Sequence, residues 1–395
     1  MLRVVTLSTL FPDATRPTFG VFVERQTREL AAREGVALKV VAPIGLPPGP
    51  LARMPHYSGF GGVPARETWN GLDVLRPRFA VIPGTAGRFH VGGLLRALTP
   101  LLDRLHEAFP FDVIDAQFFF PDGPAAVALG ARYGVPVSIK ARGADIHHWG
   151  RGPTAAEVRR AGRRADGLLA VSEAMKRDMA ALGMTAERIR VHHTGVDLDR
   201  FRPRDRDAAK AALGVTGPLV VALGALIPRK GHEIVVEAIG ALPQATLLIA
   251  GEGPERGRLT AQIARLGLEG RVRLLGSVAH EALPPLLGAA DVMALASSSE
   301  GLANAWVEAL ACGTPVVITE AGGAHEVMTT PAAGRVAARA AEAFASAIAE
   351  VLAAPPPAEA VRAAAMRFTW PANAAALEEH LAGLVDASRA ERRRA

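Results

Sequence analysis

Cysteine is nearly absent from this chain of 395 residues, which carries one thiol, Cys312. No intramolecular disulfide can form, and a zinc site built on clustered thiolates is excluded. Long apolar runs are missing as well. No window approaches the roughly 18 consecutive apolar residues that a spanning helix needs. The opening stretch MLRVVTLSTLFPDATRP has an apolar run broken by Ser8 and Thr9, with no small-residue cleavage site before Pro12. A buried first strand is expected there rather than a secretion signal, which places the protein in the cytoplasm. Aromatic residues make up 5% of the chain, too few for the stacking platforms of a nucleic-acid reader. Nucleic acid is therefore set aside as a partner.

What is present is a globular balance, 49% hydrophobic and 21% charged, on a length that favours two domains. Lys and Arg number 45 against 39 Asp and Glu, a net charge of +6 that suits an anionic partner such as a nucleotide or a phospholipid surface. The sharper basic clusters, Arg159, Arg160, Arg163 and Arg164 and the final ERRRA, read as solvated helix faces.

Short apolar runs alternate with helical patterns along the whole chain. LRVVTL, LKVVAP, FDVIDAQ, VPVSIKA and GLLAVS predict strands in the first half; PLVVALGAL, ATLLIAGEG, VRLLG, DVMALAS and PVVIT predict them in the second. Strands that are apolar throughout, spaced by helices, imply parallel sheets covered on both faces. Two doubly wound α/β domains are expected, facing a cleft. Gly195 and Pro203 mark a polar connector between Val191 and about Thr216. The expected boundaries are 1–195 for a first domain, 196–367 for a second, and 368–395 for a terminal amphipathic helix.

The stretch SSSEGLANAWVEALACGTPVV, Ser297 to Val317, places Glu300 at a loop–helix junction and Glu308 along the same helix. Gly313 is read as its left-handed stop, with Pro315 opening the next strand. The backbone N–H groups of Gly301, Leu302 and Ala303 then point from the positive helix end, an anion site suited to phosphate. Glu300 is expected to face the hydroxyl-rich part of a ligand, away from that anion, and Glu308 to accept from the two hydroxyls of a ribose. Arg229 and Lys230, in VALGALIPRKGHE, supply positive charge for a diphosphate between them.

With these residues in view, EGLANAWVEALACGTPVV resembles the E-x7-E signature of the family 4 retaining glycosyltransferases of GT-B fold. GALIPRKGHE, LLIAGEGPER, VRLLGSV, AADVMALASSSEG and VHHTGVDLDRFRP resemble further family segments in the same order, as do, more loosely, FPDATRPTFGVFVERQTREL and VSIKARGADIH. The resemblance is greatest to members that build cell-surface polysaccharides or glycolipids. It implies that Glu308 binds the donor ribose, that Glu300 contacts the transferred sugar, and that Gly301 to Ala303 meet sugar and phosphate. Arg229 and Lys230 would hold the diphosphate, Gly20 would approach the phosphates from the first domain, and Gly276, Ser277 and Val278 would lie near the base. The first domain, 1–195, would bind the acceptor and the second, 196–367, the donor, and the terminal helix around Trp370 would cross back onto the first domain. A nucleotide-diphosphate sugar would be co-substrate to a glycan or lipid-linked acceptor, with no metal and no other cofactor.

Two positions depart from the family pattern. Ala225 stands where many members have an arginine, and Arg229 is a substitute for that charge. RGAD, Arg142 to Asp145, stands where many have a histidine before the glycine. An arginine binds anions or sugar hydroxyls but cannot act as an acid–base group near neutral pH. Asp145 and His147 are placed on the acceptor side, His147 either replacing the histidine or serving a structural role. The segment 94–109 reads either as a membrane-surface helix, giving peripheral contact with the inner face of the membrane, or as a packed helix, with Pro100 inside it. GEGPERG lacks the spacing of a dinucleotide fingerprint, and Asp197-Leu198-Asp199 lies in the connector. The rival readings are a non-catalytic nucleotide-sugar binder and an epimerase or phosphorylase on the same architecture.

Overall fold

The computed structural model describes residues 1–54, 57 and 59–394. The chain divides into two compact units, Met1–Gly195 together with the segment from Trp370 onward, and Val196–Thr369.

The first unit is built on strands β1 (Leu2–Leu7), β2 (Val36–Val41), β3 (Ile44–Leu46), β4 (Arg66–Trp69), β5 (Leu72–Leu75), β6 (Arg78–Ala80), β7 (Val113–Ala116), β8 (Val137–Ala141), β9 (Gly167–Ala170) and β10 (Ile189–Val191). Eight of them form one sheet in the order β10-β9-β8-β7-β1-β2-β5-β4, parallel except at β4–β5. The order reverses between β1 and β7. Strands β7, β8 and β9 are buried at every position, so they show no alternation of exposed and buried residues; their polar members, Asp115, Ser138 and Lys140, are buried too. The antiparallel β4–β5 hairpin is absent from the sequence expectation. Its signal is Asn70-Gly71: both residues have positive φ, 47° and 84°, as a two-residue hairpin turn matching the strand twist requires.

The 25-residue helix Trp370–Arg394 packs on this sheet. Leu377, Leu381 and Val385, four residues apart and so on one face, bury against Val4, Leu30, Val113 and Leu169. Gly195 makes the junction close, since a Cβ there would meet the Trp370 ring at 2.6 Å. The helix His90–Ala108 turns Leu94, Leu98 and Leu102 into the core, and Pro100 faces solvent. Of the two readings of segment 94–109 the packed helix holds, because its apolar stripe is spent on the sheet. Among the described residues no helix is long and apolar enough to cross a membrane.

The second unit adds β11 (Leu219–Leu223), β12 (Thr246–Ala250), β13 (Val272–Gly276), β14 (Val292–Leu295), β15 (Val316–Ile318) and β16 (Gly334–Val336). They form one parallel sheet in the order β13-β12-β11-β14-β15-β16, reversing between β11 and β14. The helix after β14 runs Asn304–Ala311; Trp306, fully buried, anchors it in the core. Gly313 follows at φ 75°, the left-handed stop read from the sequence.

Candidate functional site

In open α/β sheets ligands gather beyond the carboxyl ends of the strands where the order reverses, because the loops on either side diverge there. In the Val196–Thr369 unit that point lies between β11 and β14. The loop after β11 carries Arg229 and Lys230 in a single tight turn, Pro228–Lys230, closed by Gly231 at φ 68°. A Cβ on Gly231 would run into the Ala296 carbonyl, so this turn lies hard against the end of β14. The Ser298 N–H donates to the Arg229 carbonyl at 2.8 Å. Arg339, which sequence reasoning missed, braces both loops by donating to the carbonyls of Ala296 (2.9 Å) and Pro228 (3.1 Å).

These loops bring Glu300 against both cations. Lys230 Nζ donates to Glu300 Oε1 at 2.6 Å, Ser297 Oγ donates to the same oxygen at 2.7 Å, and Arg229 Nη1 lies 3.3 Å from Oε2. The Glu300 side chain is 8% exposed, Lys230 15% and Arg229 42%. Glu300, expected to face the hydroxyl-rich part of a ligand, is in this structure the buried counter-ion of both cations. Beside it, the N–H groups of Gly301, Leu302 and Ala303 donate to no acceptor among the described residues. The loop over them is close, with the Gly323 N–H on the Gly301 carbonyl at 2.7 Å. His232, in the first turn after Gly231, is fully enclosed; burial pushes its imidazole down to about 4, so the ring is neutral near pH 7.

Glu308 sits deep on its helix and meets His280 Nε2 through Oε1 at 2.8 Å. The His280 ring lies edge-on to Phe201, with centroids 5.2 Å apart. His280 was not singled out from the sequence; it lies two residues beyond Val278, and only that proximity could have flagged it. The contact ties Glu308 to the chain leaving Gly276 (φ 75°), Ser277 and Val278. Ser277 is exposed and Val278 packs on the core.

In the first unit the expected residues gather at the ends of β1, β7 and β8. Gly20, at φ 67°, caps the helix Val21–Ala31, and a Cβ there would strike the Leu10 carbonyl. Arg142 donates from Nε to the Gln117 carbonyl at 2.7 Å and from Nη2 to Gln117 Oε1 at 2.5 Å, with its guanidinium 4.9 Å from the Phe22 ring centre. Asp145 is not open to an acceptor. Its buried carboxyl accepts the backbone N–H groups of Phe119 (3.1 Å), Arg142 (3.0 Å) and Gly143 (2.7 Å), so it shapes the loop instead. His147 pairs through Nε2 with Asp178 at 2.8 Å, which makes it a strut between two helices. Among the described residues no group of three or more His, Cys, Asp and Glu stands together as a metal cage.

Comparison with known proteins follows this division of the chain. The profile described as Glycosyltransferase Family 4 matches residues 20–200, and that described as Glycosyl transferases group 1 matches residues 203–368. The D-inositol 3-phosphate glycosyltransferase of Mycobacterium tuberculosis (strain H37Rv) is 41% identical over 168 residues, which is 40% of this chain and 35% of that protein. The match therefore spans about a third of the relative's length. Among solved structures, sucrose-phosphate synthase from Thermosynechococcus elongatus superposes with a TM-score of 0.81 at 21% identity, over 98% of this chain and all of the other. HepE from Anabaena in complex with UDP-glucose gives 0.70 at 22% identity, over 97% and 100%.

Proposed function

Since the chain belongs to glycosyltransferase family 4 and has the GT-B fold, we propose that it is a retaining, metal-independent glycosyltransferase. It moves a sugar from a nucleotide-diphosphate donor to an acceptor hydroxyl, in the building of a cell-surface polysaccharide or glycolipid. The observation that carries this reading is the cluster of Lys230, Arg229 and Glu300 at the sheet reversal, beside three N–H groups with no acceptor among the described residues. Two cations and a row of backbone donors suit a diphosphate, and a carboxylate released from them suits sugar hydroxyls.

In this mechanism the donor diphosphate takes Lys230 and Arg229 from Glu300, which turns to the hydroxyls of the sugar. Glu308 keeps one oxygen on His280 and offers the other to the ribose. As the sugar–phosphate bond breaks, negative charge grows on the departing diphosphate, where fixed cations and N–H groups stabilise it. Such fixed donors are worth about 10²–10³ each in rate. HepE was solved with UDP-glucose, which makes that donor the first to try. The relatives named for inositol 3-phosphate and sucrose-phosphate direct the acceptor search to polyols and sugars, with and without phosphate.

The test is a thermal-shift screen with UDP, GDP and ADP, followed by hydrolysis assays on the matching nucleotide sugars. A ligand that binds the native state raises apparent stability. A shift together with slow sugar release or transfer is expected. A shift without either points to a non-catalytic nucleotide-sugar subunit, and no shift with any nucleotide refutes the reading.

A further inference from the structure

Arg142 is half-buried at the end of β8, and its guanidinium is held by Gln117 twice, by Gln26 Oε1 through Nη2 at 3.5 Å and by the face of Phe22, all neutral partners. Its charge feels Asp145 and Asp115 only across a distance, with no direct ion pair among the described residues. The two nearby candidates are engaged elsewhere. Asp145 is filled by backbone N–H groups, and Asp115 accepts from Gln117 Nε2 at 2.5 Å. Burial pushes both carboxyls up, Asp115 to about 6, while the charge of Arg142 works against it.

Lys140, two residues earlier on the same strand face, is wholly enclosed, with Nζ 2.8 Å from Gln26 Oε1 and 2.7 Å from His192 Nδ1. Burial, and then the charge of Arg142, push its ammonium well down. Burial lowers Arg142 only to about 10, so it remains the cation of this cluster near pH 7. It is also the one with access to solvent. Its Nη1 makes no hydrogen bond among the described residues. Phe22, beneath it, lies in the first turn of the helix Val21–Ala31, whose cap, Gly20, offers no side-chain acceptor. That end of the helix adds further positive potential.

A half-buried guanidinium with no direct ion pair, compensated only at a distance by Asp145 and Asp115, can still gain from an anion placed on its open side. Nη1 is the open donor, and Nη2, whose contact with Gln26 Oε1 is long at 3.5 Å, stands beside it, so that the two can meet two oxygens of one oxyanion. We propose that Arg142 is a specificity-determining residue that reads an anionic group, a sugar carboxylate or a phosphate ester, on a substrate sugar bound at the strand ends of the Met1–Gly195 unit. The inference rests on the glycosyltransferase reading and names the class of its substrate.

The test is calorimetric titration of the full chain, saturated with the nucleoside diphosphate that binds it, so that Arg229 and Lys230 are already occupied. The probes are glucose, glucose 6-phosphate and glucuronate. The wild type should bind one anionic sugar, the phosphate or the uronate, at least about tenfold more tightly than glucose, the range of a charge-assisted pair. Arg142→Gln should lose that preference, and Arg142→Lys should recover part of it. Melting temperatures of the variants guard against misfolding. Equal binding of all three sugars by the wild type, or a preference that survives in Arg142→Gln, overturns the proposal. So does a fall in nucleoside-diphosphate affinity in Arg142→Gln equal to its loss of sugar binding, since the anion read would then be the diphosphate. Failure of any nucleoside diphosphate to bind the wild type would instead refute the enzyme reading itself.

Discussion

Glu300 accepts from Lys230 and Ser297 through one oxygen and faces Arg229 with the other, so it competes with any anion for the same two cations. Glu300→Gln removes the competitor without removing the cations. Nucleoside-diphosphate affinity should rise several-fold, about 1 kcal/mol, while sugar release falls by about 100-fold. Calorimetry and a hydrolysis assay read the two separately; weaker diphosphate binding would show that the carboxylate assists that ligand. His280 acts through Glu308, holding one of its oxygens at 2.8 Å. His280→Ala should raise the donor KM about 3–10-fold with a smaller change in kcat, as expected for losing one hydrogen bond to a charged group. An unchanged KM would leave His280 a packing residue. Glu300, Glu308, Arg229 and Lys230 were legible in the sequence because each lies in a motif with its own local spacing. His280 and Arg339 were not, since each acts on a partner that only the fold brings near.

The terminal helix shows how much of an element its periodicity predicts. Leu377, Leu381 and Val385 form a stripe that the pattern revealed, and the sheet of the first unit is the surface that receives it. Leu381→Ala should cost about 2–5 kcal/mol, the range for truncating a buried leucine, with no change in the residues at the strand ends. Urea denaturation followed by tryptophan fluorescence measures it; a loss under 1 kcal/mol would mean that the helix holds by its ends alone. The helix His90–Ala108 teaches the converse. Its amphipathic stripe is the same whether a membrane or a sheet covers it, and the buried Leu94, Leu98 and Leu102 decide for the sheet. The β4–β5 hairpin was legible in Asn70-Gly71 and was passed over, since its strands are short and half-polar.

Across both units, buried ionisable groups pull stability in opposite directions as the pH changes. Burial lowers His232 and His380 to about 4 and moves His192 the same way. Their contribution is present above the unfolded value near 6.5 and is lost as the pH falls through the folded one. Burial raises Asp122 to about 7. Its contribution is present below the unfolded value near 3.8 and is lost as the pH rises through 7. Asp122→Asn still offers an oxygen to the Thr9 N–H, which Asp122 accepts at 2.8 Å. Relative to the wild type it should gain about 2–3 kcal/mol between pH 5 and pH 8, read as a melting-temperature difference that widens with pH. A constant difference would place the Asp122 pKa near its ordinary value.

Local order was written in the chain: strands apolar on both faces, the helix stop at Gly313, the pair of glutamates, the cationic turn. Each depends on residues within a few turns of one another, where spacing alone dictates geometry. The counter-ions were settled by folding. Lys230 and Glu300 lie 70 residues apart, and Arg142 is held by the neutral Gln117 while Asp145, three residues on, is filled by backbone N–H groups. Those outcomes follow from the order of strands in each sheet, which sets which loops adjoin at the reversal, and neighbours across loops leave no trace in local periodicity.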